Sequence, residues 1–175
     1  MREEIDYERI VEAFKLNDYV QIGALGDFTF SGPFPNRSFQ VVVEGKEGTP
    51  FEGGSFTFTI YITLEYPEYP PVVHCNTPMW HPLIDEKEDR RYNVQLGIFL
   101  DQKPLASNSG VRPFGWNQER TLTDVIQSIV GLVHMVPPYW TSLDSLNEDA
   151  LEQLWHDYHA FDAKAREWTE RFGKK

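Results

Sequence analysis

Phe51-Glu52-Gly53-Gly54-Ser55-Phe56-Thr57-Phe58-Thr59-Ile60-Tyr61-Ile62-Thr63-Leu64 carries the clearest secondary-structure signal in the chain. From Ser55 onward, Phe56, Phe58, Ile60, Ile62 and Leu64 alternate with Ser55, Thr57, Thr59, Tyr61 and Thr63. A period of two places the first set on one face of a β-strand and the second set on the other. Five apolar groups are therefore expected in a core, with a Thr/Tyr row facing away from it. Ser38 to Glu44 is a second β-branched and aromatic run, and Gly45-Lys46-Glu47-Gly48 between the two supplies turn chemistry for a hairpin. The glycines between 45 and 54 lack the spacing of a phosphate-binding loop, so the turn reading stands.

Outward from this hairpin, Val72 to Asn76 predicts a further short strand and Tyr19 to Ile22 another, with a loop from there to Asn36. Pro67, Pro70 and Pro71 lack amide donors and cannot lie inside a paired central strand. At the N-terminal end Tyr7, Ile10, Val11 and Phe14 recur at i, i+3, i+4 and i+7, which predicts an amphipathic helix over the first 16 residues or so. Thr121 with Asp124 reads as a helix start, and Leu122, Val125, Ile126, Ile129 and Val133 form its buried stripe up to Pro137-Pro138. Leu151, Leu154, Trp155 and Tyr158 predict one more helix, and Phe161, Ala165, Trp168 and Phe172 a last one. Helix, strands, then helices define an α+β domain with an antiparallel sheet covered on one face.

With 175 residues and 41% apolar side chains the chain is expected to form one globular domain over residues 1–175. No apolar run approaches the roughly 20 residues that cross a bilayer. The first six residues are acidic and do not resemble a signal peptide. A single cysteine suits a reducing compartment, cytoplasm or nucleus. The net charge of −11 argues against nucleic acid and against an anionic membrane surface.

Four motifs follow one another in the middle of the chain: Phe51-Glu52-Gly53-Gly54-Ser55-Phe56, Tyr66-Pro67-Glu68-Tyr69-Pro70-Pro71, His81-Pro82-Leu83-Ile84 and Gly97-Ile98-Phe99-Leu100-Asp101. Their order and composition resemble the ubiquitin-conjugating (E2) enzymes, which write them as Tyr/Phe-x-Gly-Gly-x-Phe, Tyr-Pro-x-x-Pro-Pro, His-Pro-Asn-Ile and Gly-x-Ile-Cys-Leu-Asp. Trp116 matches the tryptophan after the family's catalytic loop, and Ala165 to Phe172 looks like its last helix. The resemblance covers about Arg37 to Phe172 and implies a UBC-like fold: an N-terminal helix, a four-stranded antiparallel meander and C-terminal helices.

The departures are chemical. The resemblance puts Phe99 where the family has its nucleophilic cysteine, and a phenyl ring cannot form a thioester. Leu83 takes the place of the asparagine whose amide lies near the reacting carbonyl, and it offers no donor. Added residues around 85–92 and 103–115 flank the same place. The resemblance therefore implies a catalytically inactive E2 variant without a cofactor, with Phe99, Leu83, His81 and Trp116 as the vestigial site. Its expected partners are proteins: ubiquitin, a ubiquitin-like protein, an active E2 or a ligase complex. Family members also present basic residues on the first helix to the activating enzyme, whereas Glu3, Glu4, Asp6, Glu8 and Glu12 outnumber Arg2, Arg9 and Lys15 here. Two alternatives remain open. His81-Pro82-Leu83-Ile84-Asp85 also resembles a motif of inactive E2-like adaptors of the fused-toes type in trafficking complexes. An active E2 with a non-standard nucleophile is the other, with Cys75 as the sole candidate thiol.

Residues with partner-binding potential are Thr57, Thr59 and Tyr61 on the open sheet face, Glu68 and Tyr69 in the proline-rich turn, and Arg90 and Arg91 in the charged run Asp85 to Arg91. Cys75 reads as a small buried hydrophobe. His81 could serve as a base or ligand, but the resemblance implies loop support, the part this histidine plays in the family. His156 and His159 stand at i, i+3 without a cluster of ligand spacing, so no metal site is expected.

Overall fold

The computed structural model describes residues 2–29, 35–87, 93–96, 116–135 and 145–174. Helix α1 spans Arg2–Ala13 and is followed by β1 (Val20–Ile22), β2 (Gly26–Thr29), β3 (Pro35–Glu44), β4 (Ser55–Ile62) and β5 (Val72–Cys75). Helices α2 (Leu122–Val133), α3 (Glu148–His156) and α4 (Tyr158–Trp168) complete the chain, with a π-helical turn at Thr169–Gly173. The antiparallel order β1-β3-β4-β5 is the expected four-stranded meander.

Register decides what is inside. Val43, Val41 and Phe39 of β3 stand opposite Phe56, Phe58 and Ile60 of β4, and Val73 and Cys75 of β5 stand opposite Ile60 and Phe58. Directly paired residues share a face, so these eight side chains form one apolar surface, and all are buried. The α2 stripe is buried in full against it, together with Ile10 of α1. Each such Phe, Val or Ile contributes roughly 1.5–3 kcal/mol through burial. The start of α2 is fixed as its sequence suggests: the Asp124 carboxylate accepts the Thr121 N–H at 2.8 Å and the Thr121 hydroxyl at 3.3 Å.

Four details differ from the sequence expectation. The segment after Ile22 holds a second strand, β2, which pairs with 35–38 of β3 on the same edge that β1 occupies at 41–43. The break between them lies at Gly23, whose N–H donates to the Gln40 carbonyl at 2.7 Å and where a Cβ would come within 3.1 Å of that oxygen. Leu64 is 56% exposed because β4 ends at Ile62 and Thr63 opens a turn closed by the Tyr66 N–H. Val11 is 40% exposed, and Asp6 instead takes a buried place on the inner face of α1. Trp155 and Tyr158 are also half-exposed and lie on two helices, since Asp157 ends α3 and caps α4 by accepting the Ala160 N–H. Helix α2 closes at Val133, and Pro137-Pro138 lies outside the described residues.

Candidate functional site

The segment 79–85 runs between β5 and the helical layer, and Met79 to Asp85 is buried throughout. His81 organises it. The Leu83 N–H donates to His81 Nδ1 at 3.0 Å, so the ring proton lies on Nε2, which donates to the Leu132 carbonyl of α2 at 3.2 Å. Both ring nitrogens are thus engaged in tying the segment to α2. Complete burial holds His81 neutral, its pKa lowered to about 3. This is loop support, as the sequence suggests, and it leaves no ring nitrogen for proton transfer. Leu83 is buried, and its backbone N–H meets this ring. The following residue, Ile84, bridges Val94, and Asp85 N–H donates to the Asn93 carbonyl at 2.9 Å.

Trp116 reaches the neighbouring turn, where its indole N–H donates to the Pro67 carbonyl at 2.9 Å and its ring lies 6.0 Å from that of Tyr66. Of the four vestigial positions, then, His81 and Leu83 share one buried segment, and Trp116 anchors the proline-rich turn. Phe99 lies outside the described residues, as do Arg90 and Arg91.

The other candidates fall on two surfaces. Ser38, Tyr61 and Val72 pair across the open sheet face, as do Gln40, Thr59 and His74. Thr59 is buried there, and its hydroxyl donates to Oδ1 of the exposed Asn76 at 2.7 Å, so that hydroxyl is already paired within the sheet face. The Thr57 N–H donates to the Thr77 hydroxyl, and Tyr61 packs edge-on against His74 at 5.1 Å. Glu68 and Tyr69 are exposed on the proline-rich turn with Leu64. A groove of about 340 Å³ separates that turn and β5 from Asn93–Gln95 and Leu146.

Cys75 is 1% exposed, and its thiol donates to the Thr77 carbonyl at 2.9 Å. Burial pushes its pKa above the ordinary thiol range, so the thiolate is suppressed. His156 is exposed, 4.0 Å from Glu152. Among the described residues no three metal-ligating groups converge.

Sequence reasoning missed the polar cluster under α1. Asp6 is 2% exposed and receives hydrogen bonds from the Tyr66 hydroxyl and from Arg2. Only the inward position of Asp6 was readable, since it stands four residues before the buried Ile10 on the same helix face.

Comparison with known proteins follows the same lines. The family model for ubiquitin-conjugating enzyme matches residues 31–169. NEDD8-conjugating enzyme ubc-12 of Caenorhabditis elegans is 31% identical over 136 residues, which span 78% of this chain and 67% of that one. Ubiquitin-conjugating enzyme E2 13 of Saccharomyces cerevisiae is 33% identical over 140 residues, 79% of this chain and 77% of its own. A crystal structure assigned to a ubiquitin conjugating enzyme from Plasmodium yoelii superposes with a TM-score of 0.69 at 21% identity, covering 100% of this chain and 97% of that one, a likeness of fold.

Proposed function

Because this chain belongs to the ubiquitin-conjugating enzyme family, we propose that it is a non-catalytic member, which binds other proteins of ubiquitin or ubiquitin-like modification instead of carrying the modifier. The observation that supports this reading best is the state of its sole thiol. The sequence contains one cysteine, Cys75, and the β-sheet register directs it into the core opposite Phe58. A thioester nucleophile must reach an incoming carbonyl and leave as a thiolate; Cys75 is inaccessible and held protonated. Leu83 adds to the argument, since no amide donor stands in that position to stabilise an oxyanion. Phe99, by its place in the motif, supplies a ring where the family supplies sulfur.

What the framework offers instead is recognition. Its protein partners, on this reading, are ubiquitin or a ubiquitin-like protein, an active E2 or a ligase. They would meet the open sheet face around Tyr61 or the turn bearing Glu68 and Tyr69.

A charging assay tests the proposal. The protein is incubated with activating enzyme, ATP and ubiquitin, and in parallel with NEDD8 and its activating enzyme. No adduct sensitive to reducing agent is expected. A thioester lost on Cys75→Ala would overturn the reading.

A further inference from the structure

We propose that the corner between α3 and α4 is a docking site for a Lys/Arg-rich segment of another protein, whose cations stack on the Trp155 and Tyr158 rings beside the carboxylates of α3. Trp155 is 51% exposed and Tyr158 52% exposed, three residues apart at the helix junction. Large aromatic area in water marks interaction surfaces, where Trp and Tyr are enriched.

The surrounding charge identifies the occupant. Between Arg120 and Lys164 the sequence contains no Lys or Arg, and residues 148–162 carry Glu148, Asp149, Glu152, Asp157 and Asp162. Glu148, Glu152 and Trp155 stand at i, i+4 and i+7 and so share one face of α3. The nearest cations on α4 are already engaged: Arg166 pairs with Asp162 at 2.9 Å, and Lys164 Nζ sits 3.6 Å above the Trp80 ring. His156, 4.0 Å from Glu152, and the exposed His159 are the remaining basic groups of α3 and α4 near the junction among the described residues. The exposed apolar groups of α1 differ, since Ile5 and Val11 share that helix with Arg2 and Arg9, and Arg2 also lies over Tyr66 in the turn that carries Leu64 and Tyr69. Asp162 is taken up by Arg166, but at this corner the aromatic area coincides with Glu148, Asp149, Glu152 and Asp157, which no Lys or Arg among the described residues pairs. A guanidinium or ammonium over an indole or phenol face is attracted by the ring and by nearby carboxylates together. Nucleic acid, an anionic lipid surface and a second copy of this chain would each be repelled.

The test uses the full chain and a capped peptide of alternating arginine and glycine, followed by two-dimensional NMR of the Trp155 indole N–H and the Tyr158 amide. A saturable shift at both is expected, weakened by added salt. A Trp155→Ala/Tyr158→Ala variant should lower affinity roughly tenfold. Glu148→Gln/Glu152→Gln should lower it severalfold without removing either ring. Glu8→Gln/Glu12→Gln on α1 removes the same amount of charge and should leave affinity unchanged. Equal losses from the α3 and α1 charge variants would reduce the binding to general attraction by an acidic protein and overturn the proposal. So would shifts confined to Leu64 and Tyr69, or no shift at all.

Discussion

The Tyr66 hydroxyl donates a 2.6 Å hydrogen bond to the Asp6 carboxylate, joining α1 to the proline-rich turn across 60 residues of chain. Arg2 completes the junction. Its Nε lies 3.3 Å from the same carboxylate oxygen, its guanidinium carbon is 5.9 Å from the Tyr66 ring centre, and its Nη2 donates to the Arg120 carbonyl at 2.9 Å. A carboxylate with 2% exposure requires such partners, because a buried charge without them is strongly destabilising. Burial, with the hydrogen bond to Asp6 second, raises the Tyr66 phenol above its ordinary range, so it remains a donor at any physiological pH. Three segments distant in sequence (the start of α1, the turn and the approach to α2) are thereby set edge to edge.

Tyr66→Phe should therefore destabilise the protein out of proportion to the single oxygen removed. Asp6 would stay buried with one of its donors gone, which costs about 1–3 kcal/mol. Urea unfolding should show a lower midpoint at an unchanged slope. An unaltered midpoint would mean that water replaces the phenol at no cost.

His81 makes stability depend on pH in a defined direction. Its pKa is about 3 in the folded protein and 6.5 as a free side chain. Below pH 6.5 the unfolded chain takes up a proton that the native state refuses. The contribution of His81 is thus complete above pH 6.5 and is lost as pH falls toward 3. Between pH 7 and pH 5 the loss amounts to about 2 kcal/mol. His81→Asn should be less stable at pH 7, yet its stability should change by about that much less over the same interval. Parallel pH profiles for the two proteins would show that His81 is protonated in the fold.

Cys75 should behave as a core atom. In native buffer at pH 8 an aromatic disulfide reagent should label it slower than in urea by a factor on the order of 1,000 or more, at a rate set by opening of the fold. Fast native labelling would mean that the β5 edge opens locally.

Two glycines should respond to alanine with opposite signs. At Gly131 in α2 a Cβ meets nothing within 4 Å, so Gly131→Ala should stabilise by about 0.5–1 kcal/mol through backbone entropy. At Gly45 a Cβ would fall 1.8 Å from the Phe51 carbonyl oxygen, across the turn closed by the Gly45 N–H bond to the Gly54 carbonyl. Gly45→Ala must move backbone and should cost several times more, on the order of 3 kcal/mol. Thermal melts of the two variants would check both signs.

Alternation in β4 and the 3.6-residue stripe of α2 were legible because each pattern states directly which side chains share a face. Phe56, Phe58, Ile60 and Ile62 are buried as that pattern requires, and so are Leu122, Val125, Ile126, Ile129 and Val133. The same patterns failed at element ends. Leu64 continued the alternation and Val11 fitted the α1 stripe, but periodicity names a face without saying whether another element covers it. Trp155 and Tyr158, which marked one helix with Leu151 and Leu154, lie on two helices and stand half in water. The motif positions were legible as well, His81 as loop support and Cys75 as a buried residue among them. The Asp6–Tyr66–Arg2 junction was not, since a lone aspartate on an acidic helix gives no sign of a phenol 60 residues away.

Local chemistry by itself determined β1 and β3 to β5, the helices, the α+β order, the presence of a single cysteine and the apolar residue at position 83, because each of these depends only on residue type and spacing, whereas β2 forms only where its neighbour β3 offers an edge. Tertiary structure alone decided that Cys75 faces Phe58 in the core, that both nitrogens of His81 are engaged, that the Thr59 hydroxyl is taken up by Asn76, and that Asp6 is buried with its partners. Burial and pairing are properties of what packs against a residue, and those neighbours are brought close by folding from distant parts of the chain.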